Sequence, residues 1–399
     1  MSPSWLSENL QNPSGRMPMN KNDAKRVLKE ILAIQSVNAQ DDEGNVARYL
    51  KRFFKVSGIK SRIQKIDKTH ANLISVLPGR DERKNIIWNG HMDTVPYGDI
   101  SKWNTDPGVP VEKGGRIYAR GSSDMKSGLA AMAYTLVSLA EKGIKPAETI
   151  WFIATCDEEK NGLGAQKTVS ENMLPAADCI LIGEPTGLDI GVAQKGCIWL
   201  SFDIKGQTSH GAYPERGINA VDYAVKIADE LKEVLESKRH PVLKKATAQI
   251  TEINGGAVPN MTPDNCSVIM DIRLIPGICR EDVLREFDRI SYRYKELTKG
   301  ILQVERTVLN ERRAIEISSQ DKFLKVLEKH IRSGGITPQK IGINFFTDAS
   351  IFTKEEDHRV LLFGPGEPDL CHCPNEYVDM EKYYRYIDIL TSFAIDKAV

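Results

Sequence analysis

The 399-residue sequence lacks several features that would assign it to a specialised class of protein. It has no excess of charge of either sign, because 54 Lys and Arg residues balance 54 Asp and Glu residues. Proteins that bind nucleic acid or acidic membranes usually carry a basic excess, so we expect neither partner. The longest strongly apolar run, GLAAMAYTLVSLA, is too short to span a bilayer.

The N-terminus and the cysteines also lack the marks of secretion. Residues 1–20 have no basic start, apolar middle and small-residue cleavage site, which together define a signal peptide. We expect this segment to be a disordered leader or a non-native extension. The seven cysteines are odd in number and irregularly spaced, which is typical of reduced thiols and not of a disulfide framework. The sequence therefore predicts a cytoplasmic protein.

The first half of the chain alternates apolar strands with amphipathic helices. Helices are predicted at 23–34, 44–57 and 125–142 from the spacing of their apolar residues. The predicted strands are NLISVLP, NIIWNG, TIWFIATC and CILIGEP. Apolar strands separated by helices are typical of an α/β fold with a mostly parallel sheet and helices on both faces.

The pattern changes from about residue 197. Strands and helices then follow the order β-α-β-β-α-β, which predicts a compact two-layer unit. The α/β pattern resumes with a helix at 320–333, the strand RVLLFGPG and a terminal helix from about 380. We therefore predict a smaller domain, 197–309, inserted into a larger one formed by 21–196 and 310–399.

Acidic and imidazole side chains follow the predicted strands. The carboxyl ends of the strands are where functional residues gather in open α/β sheets. The residues at these ends, or at the start of the helix at 125–142, are His91, Asp93, Asp124, Glu158, Glu159, Glu184 and His372. Two imidazoles and several carboxylates are typical ligands of a divalent metal, most often zinc. The alternative is that each histidine is an ordinary core or surface residue.

Five segments in this order resemble the dinuclear zinc amidohydrolases. The family includes acetylornithine deacetylase, succinyl-diaminopimelate desuccinylase, aminoacylase and glutamate-releasing carboxypeptidases. The segments are GHMDTVP, YARGSSDMKSGLAA, TCDEEKNGLGA, GEPTG and FGPGEPDLCHCPNEYV. The resemblance runs from about residue 20 to the C-terminus. It implies a zinc-exopeptidase-like domain with an inserted lid or dimerisation domain.

The resemblance also implies a role for each residue at the strand ends. One divalent ion would be held by His91, Asp124 and Glu184, and a second by Asp124, Glu159 and His372. Zinc is the expected metal, with cobalt or manganese as alternatives. Asp93 would accept a hydrogen bond from the ring of His91. Glu158 would be the general base for a metal-bound water that attacks the amide carbonyl.

Residues of the inserted domain would complete the site. In the family, the histidine that matches His210 reaches the active site of a partner subunit and stabilises the oxyanion, which implies a homodimer. Asn260 and Arg273 match positions that bind the substrate. The residues alone leave other interpretations open, namely an ordinary loop histidine, a turn asparagine and a solvated strand arginine.

Three functions are compatible with these residues. The first is a deacylase of N-acylated amino acids, and the second is a dipeptidase or carboxypeptidase of the same family. The third, an inactive binding protein, is disfavoured because every predicted ligand and Glu158 are present. The first two are not separated, because substrate pockets are built from loops outside the motifs. Cys371 and Cys373, which flank His372, are expected to be small buried thiols that point away from the site in an extended segment.

Overall fold

The computed structural model describes residues 20–353 and 359–396. The leader predicted for 1–20 therefore lies outside the described residues, apart from Asn20. The chain divides into two compact units. The first contains the described residues of Met1–Val192, Ile317–Lys340 and Ile351–Val399, and the second contains Ala193–Glu316 and Ile341–Ser350. The second unit thus extends beyond the predicted 197–309 at both ends and takes in a segment from the C-terminal part.

The helices of the described residues are α1 (Lys21–Ala33), α2 (Gly44–Val56), α3 (Lys126–Glu141), α4 (Leu163–Ser170), α5 (Ala220–Glu236), α6 (Arg280–Leu297), α7 (Lys322–Ser333), α8 (Ala349–Phe352) and α9 (Met380–Ile395). None of them is long and apolar enough to cross a membrane. The helix α1 illustrates the local signals, because the Asn20 side chain caps its first turn and apolar residues at helical spacing face the core.

The strands of the described residues are β1 (Lys60–Lys65), β2 (Ala71–Leu77), β3 (Asp81–His91), β4 (Val111–Lys113), β5 (Arg116–Tyr118), β6 (Glu148–Thr155), β7 (Cys179–Ile182), β8 (Ile190–Gln194), β9 (Gly196–Lys205), β10 (Arg239–His240), β11 (Lys244–Lys245), β12 (Thr247–Gly255), β13 (Asn265–Leu274), β14 (Gln303–Arg312), β15 (Ile315–Glu316), β16 (Lys340–Ile343), β17 (Val360–Leu362) and β18 (Tyr377–Asp379).

The large sheet of the first unit has the strand order β1-β2-β6-β3-β7-β17-β8. Its four middle strands are parallel, whereas β1, β2 and β8 run antiparallel to their neighbours. Every residue of β2, β6 and β7 is buried, so both faces of these strands are covered. The predicted α/β fold with a mostly parallel sheet is therefore confirmed, with antiparallel strands at its margins.

A close approach between α3 and β7 shapes the carboxyl edge of this sheet. A Cβ atom added to Gly128, in the first turn of α3, would lie 2.0 Å from the carbonyl oxygen of Gly183. Glycine is required because any side chain would push the helix away from the end of β7. The residues just before α3 and just after β7 therefore lie next to each other.

The second unit has its own core around a four-stranded antiparallel sheet in the order β12-β13-β9-β14. Buried and more exposed residues alternate along β9 and β13, which is typical of strands with one covered face. The apolar residues of α5 and α6 belong to the same core cluster as these strands. The order β9-α5-β12-β13-α6-β14 has the predicted β-α-β-β-α-β form, with the short β10–β11 hairpin added between α5 and β12.

Candidate metal centre

The parallel strands bring the predicted ligands to one edge of the large sheet. His91 is the last residue of β3, and Glu158 and Glu159 follow shortly after β6. Glu184 comes just after β7, and His372 lies in the loop between β17 and β18. Because β3, β6, β7 and β17 are parallel, their carboxyl ends meet at the same edge.

Asp124, which precedes α3, lies between the two imidazoles. Its Oδ1 atom is 3.1 Å from Nε2 of His91, and its Oδ2 atom is 3.5 Å from Nε2 of His372. The same His372 nitrogen is 2.9 Å from Oε2 of Glu159. His91, Asp124 and Glu159 each offer a ligand atom, and these atoms lie within 4.8 Å of one another. One carboxylate thus faces both imidazoles, as a bridging ligand must.

The charges around His91 are predominantly negative. Burial of its ring favours a lower pKa, but the hydrogen bond with Asp124 and the charges of Asp93, Glu184 and Glu158 outweigh burial and raise the pKa well above its usual value. Glu184 and Glu158 are both buried. The cluster therefore concentrates more carboxylates than its two imidazoles can neutralise.

The contacts of Glu159 test whether a cation fits here. Its Oε1 atom is buried and has no hydrogen-bond partner among the described residues. Burial and then the repulsion of Asp124 raise the pKa of Glu159, although His372 opposes the rise. Ligand atoms of one tetrahedral zinc ion lie about 3.3 Å apart, close to the separations around Asp124. The residues present therefore fit divalent metal ions.

The predicted contact between His91 and Asp93 is made by a different atom. Nδ1 of His91 is 2.9 Å from the backbone carbonyl oxygen of Asp93 but 3.6 Å from the carboxylate. The carboxylate instead accepts hydrogen bonds from the backbone N–H groups of Glu158, at 3.2 Å, and Glu159, at 3.0 Å. The Asp93 side chain therefore holds the turn that carries these two glutamates.

The prediction that Cys371 and Cys373 are buried and point away from the site is wrong. The chain is not extended there, because His372 has a left-handed φ of 62°. The Cys371 thiol donates to the backbone carbonyl of Glu367 at 3.7 Å, and burial followed by the charge of Asp124 raises the pKa of that thiol. Cys373 is exposed.

The family of the chain follows from its sequence as well as from this geometry. A model of peptidase family M20/M25/M40 matches residues 87–396. The chain belongs to this family. The predicted resemblance is thereby confirmed, and so is the predicted class of enzyme, a metal-dependent hydrolase.

Individual M20 relatives cover almost the whole chain. A probable succinyl-diaminopimelate desuccinylase of Staphylococcus aureus strain N315 is 29% identical over 401 residues, which cover 93% of this chain and 96% of the relative. Among solved structures, the aminopeptidase PepT of Bacillus cereus ATCC 10987 has a TM-score of 0.77 at 22% identity and covers 94% of this chain and 98% of its own. The Bacillus subtilis YXEP protein, a dinuclear metal binding peptidase from the M20 family, has a TM-score of 0.73 at 16% identity, with 94% and 97% covered. The last two likenesses concern the fold.

Glu376 is part of this site in the M20 chain but is not among the residues predicted from the sequence. It precedes β18, which pairs with β5 and so brings Glu376 beside the loop that leads to Asp124. Its fully buried carboxylate accepts hydrogen bonds from Arg120, at 2.7 Å, and from the backbone N–H groups of Gly121, Ser123 and Asp124, at 2.7–3.1 Å. Glu376 therefore fixes the backbone from which Asp124 projects.

Replacement of Glu376 with glutamine is expected to weaken metal binding by about 10- to 100-fold, the usual effect of losing a group that orients a ligand. Both oxygens of the Glu376 carboxylate accept hydrogen bonds, whereas glutamine has only one acceptor oxygen. The NH₂ group of glutamine would face N–H donors and lose the hydrogen bonds that the second oxygen accepts. Competition with a chelator measures the affinity. The control is Glu381→Gln, which removes an exposed ion pair with Arg385. Unchanged affinity in Glu376→Gln would contradict this role.

His210 and Asn260 lie side by side in the second unit. The loop that contains His210 and the loop that contains Asn260 pair through a bridge between His210 and Met261. In addition, the Gly211 N–H donates to the Asn260 carbonyl at 2.7 Å. A Cβ atom on Gly211 would lie 2.9 Å from that carbonyl oxygen, so glycine allows the approach. Both predicted residues are exposed. The structure thus brings these two residues together.

Arg273 lies elsewhere in the same unit. It sits near the end of β13, whereas Asn260 precedes the start of that strand. Its Nε and Nη2 atoms donate to the two carboxylate oxygens of Asp271 at 2.7 and 3.0 Å, and its guanidinium lies over the ring of Phe346. The structure does not bring Arg273 together with His210 and Asn260 within one chain.

Proposed function

We propose that this M20 enzyme hydrolyses the amide bond of an N-acylated amino acid. It would be a deacylase of the succinyl-diaminopimelate desuccinylase or acetylornithine deacetylase type. Asp124 lies between two imidazoles, and the charge of the buried Glu158 acts on one of them, His91; this arrangement carries the proposal. The name of the Staphylococcus aureus relative favours this branch. A dipeptidase or carboxypeptidase is the alternative, and an inactive binding protein is the third.

In this proposal, two divalent ions per chain, zinc or alternatively cobalt or manganese, are held by His91, Asp124, Glu159, Glu184 and His372. When bound, they would polarise the amide carbonyl and lower the pKa of the attacking water. Asp93 holds the glutamate turn through its hydrogen bonds to two backbone N–H groups. Glu158 and Glu159 lie in this turn, so the hydrogen bonds of Asp93 position both the base and one candidate ligand.

Glu158 performs the proton transfers in this proposal. Its carboxylate takes a proton from the attacking water while the water oxygen bonds to the amide carbon. The carbon–nitrogen bond then breaks, and Glu158 returns the proton to the nitrogen, which leaves as an amine. The acyl group is released as a carboxylate, and the proton that its new hydroxyl group loses goes to the released amine, which becomes an ammonium ion. His210 donates a hydrogen bond to the carbonyl oxygen as its negative charge develops.

Two cationic side chains of the second unit favour a substrate that carries a carboxylate. Lys195 is only 6% exposed, and burial followed by the charge of Arg273 lowers its pKa. Neighbouring cations that repel each other would both be stabilised by an anion. A succinyl group or the carboxylate of an amino acid would add an anion to the one that Asp271 already supplies to Arg273, so we assign Arg273 to substrate binding. We assign Asn260 to substrate binding because it matches a family position with that role.

The distance between these residues supports a homodimer. The strand β13 separates Arg273 from the loop that holds Asn260 beside His210. The segment Asn265–Arg273 spans about 27 Å at the usual rise of a strand. A substrate of amino-acid size does not span this distance. If Arg273 and His210 serve the same substrate, they come from different chains, which we infer to associate through the second unit.

The cysteines support a cytoplasmic location for the enzyme. All seven are free thiols, and four of them are buried. A reducing compartment preserves thiols in this state. A cytoplasmic location therefore remains our prediction.

A metal-dependent substrate panel tests the proposed function. Protein prepared without chelators should contain close to two divalent ions per chain, and the chelated protein should lose hydrolysis and regain it with zinc or cobalt. The panel consists of N-succinyl, N-acetyl and N-formyl amino acids together with dipeptides. Release of the free amine from N-acyl substrates, with N-succinyl substrates preferred, is the expected result. Hydrolysis of dipeptides alone would favour the alternative, and full activity of metal-free protein would reject the metal mechanism.

A further inference from the structure

A buried amide group sits among three carboxylates behind the candidate metal centre. The Nδ2 atom of Asn38 lies 3.0 Å from Oδ2 of Asp93, 3.1 Å from Oδ1 of Asp157 and 3.3 Å from Oε1 of Glu43. Glu43 and Asp93 are 0% exposed, and Asp157 is 2% exposed. An amide NH₂ group has only two hydrogens, so it does not donate a full hydrogen bond to all three carboxylates.

The three carboxylates also accept hydrogen bonds from backbone N–H groups, and their numbers of donors differ. Asp93 accepts two backbone N–H groups, those of Glu158 and Glu159. Asp157 accepts the backbone N–H of Leu163 at 3.2 Å in addition to Asn38. Glu43 has the longest of the three contacts with Asn38. Glu43 accepts one backbone N–H, that of Asp157 at 2.8 Å. Three adjacent buried anions would repel strongly, so one of them keeps its proton, and we assign that proton to Glu43 because its other oxygen faces a ring nitrogen of His70.

The contacts of Glu43 also suit a neutral carboxyl group. Its Oε2 atom accepts the backbone N–H of Asp157 at 2.8 Å, which uses one oxygen as an acceptor. Its Oε1 atom lies 3.4 Å from Nε2 of His70. The Nδ1 atom of His70 is 2.8 Å from Oδ2 of Asp67. With Nδ1–H donating to Asp67, Nε2 is an acceptor for a proton on Oε1 of Glu43.

The N–H group that Glu43 accepts belongs to the residue before the candidate general base. Asp157 has a left-handed φ of 60°, a conformation that residues other than glycine rarely adopt. Such a conformation persists when the surrounding contacts determine it. Glu43 on one side and Leu163 with Asn38 on the other supply these contacts. The direction in which the next residue, Glu158, leaves the turn depends on them.

We propose that Glu43 is a positioning residue that acts as a neutral carboxylic acid, and that together with Asn38 it fixes the turn at 157–159 from which Glu158 works. The proposal rests on the role assigned to Glu158 above. Glu43 contacts none of the five candidate metal ligands, and its effect passes through the backbone of Asp157.

The environment of Glu43 agrees with a neutral state at physiological pH. Burial, followed by the charge of Asp93, raises the pKa of Glu43 to about 9. Asp157 adds to this rise through its charge, while its backbone N–H and the charge of His91 oppose it. Lys126, whose ammonium donates to the Ile34 carbonyl at 2.8 Å, is a further cation that acts on Glu43.

Two substitutions separate a neutral positioning role from an ionic one. Glu43→Gln keeps the shape, the acceptor for Asp157 and a donor for His70, and kcat should stay within about threefold of wild type. Glu43→Leu removes both functions and should lower kcat by about 10²-fold, the effect of a small displacement of a catalytic group. KM and metal content should change little in either variant. Glu148→Gln and Glu148→Leu, at a buried glutamate that begins β6, are the matched controls.

Infrared difference spectra provide a measurement that does not depend on activity. The difference between the wild-type and Glu43→Gln spectra should contain the band of one protonated carboxyl group, with or without metal. Loss of kcat in Glu43→Gln equal to that in Glu43→Leu, or no change in that band, would overturn the neutral assignment. Full kcat in Glu43→Leu would overturn the positioning role. If Glu43→Leu does not fold, Glu43→Met, an unbranched side chain that also lacks an acceptor for the Asp157 N–H, takes its place as the test of positioning, and Glu43→Gln and the spectra still test the neutral state. A Glu158→Gln variant with full activity would instead refute the proposed base and leave the infrared result interpretable.

Discussion

Replacement of Glu158 with glutamine is expected to lower kcat by about 10²–10⁴-fold, the usual contribution of a general base. Glutamine has nearly the shape of glutamate but does not take up a proton from the attacking water. The buried ligand set remains intact, so metal content should stay close to that of wild type. Steady-state kinetics on the substrate found by the panel and elemental analysis of the same sample provide the two measurements.

The neighbouring glutamate is the matched control for this substitution. Glu159→Gln should lose part of the metal, because its carboxylate lies 2.9 Å from His372 and is a candidate ligand. Asp157→Asn should destabilise the turn, since that carboxylate accepts from Leu163 and Asn38. If Glu158→Gln lost metal while Glu159→Gln kept it, the two roles would have to be exchanged.

In the first half of the chain, the strands predicted from the sequence are those that the core covers on both sides. The sequence runs of β2, β3, β6 and β7 are apolar because both of their faces are buried. An apolar run therefore predicts a strand of this kind. The strand β1, with the sequence KSRIQK, was missed because it lies at the margin of the sheet and only one of its six residues is buried. A polar strand of this kind is defined by its antiparallel pairing with β2, which has no local signature.

The candidate site shows the same division between local and distant causes. His91 and Glu159 were found because an apolar strand ends just before each of them. Glu376 was missed because its partners lie 252–256 residues earlier in the chain, so its role depends on the pairing of β18 with β5. The prediction of an extended segment at Cys371 is wrong because His372 has a left-handed φ, and no glycine in the sequence indicates a turn at that position. Residues that orient the ligands, such as Glu376, do so through tertiary contacts, and the local sequence pattern does not predict those contacts.

Replacement of His210 with alanine is expected to lower kcat by about 10²–10³-fold, the usual cost of losing one donor to an oxyanion. The metals should remain bound, because His210 belongs to the second unit and the candidate ligands to the first. His210 is exposed and its Nδ1 atom accepts only the backbone N–H of Ala212 among the hydrogen bonds described for its ring, so the substitution should leave stability nearly unchanged. Kinetics, metal content and thermal unfolding of the same variant test these three expectations.

Mixing two inactive variants decides whether His210 acts across a dimer. In a hybrid of His210→Ala and Glu158→Gln chains, the first chain supplies an intact Glu158 and the second an intact His210. If the two residues meet in trans, each hybrid dimer has one complete site, and random exchange in an equal mixture should restore about a quarter of wild-type activity. If they meet in cis, every site lacks one of them and no activity returns. Exchange is verified independently with differently tagged chains, so that a negative result has a single meaning. A fully active monomer in sedimentation would reject the trans role directly, because a monomer has no partner subunit that could supply His210.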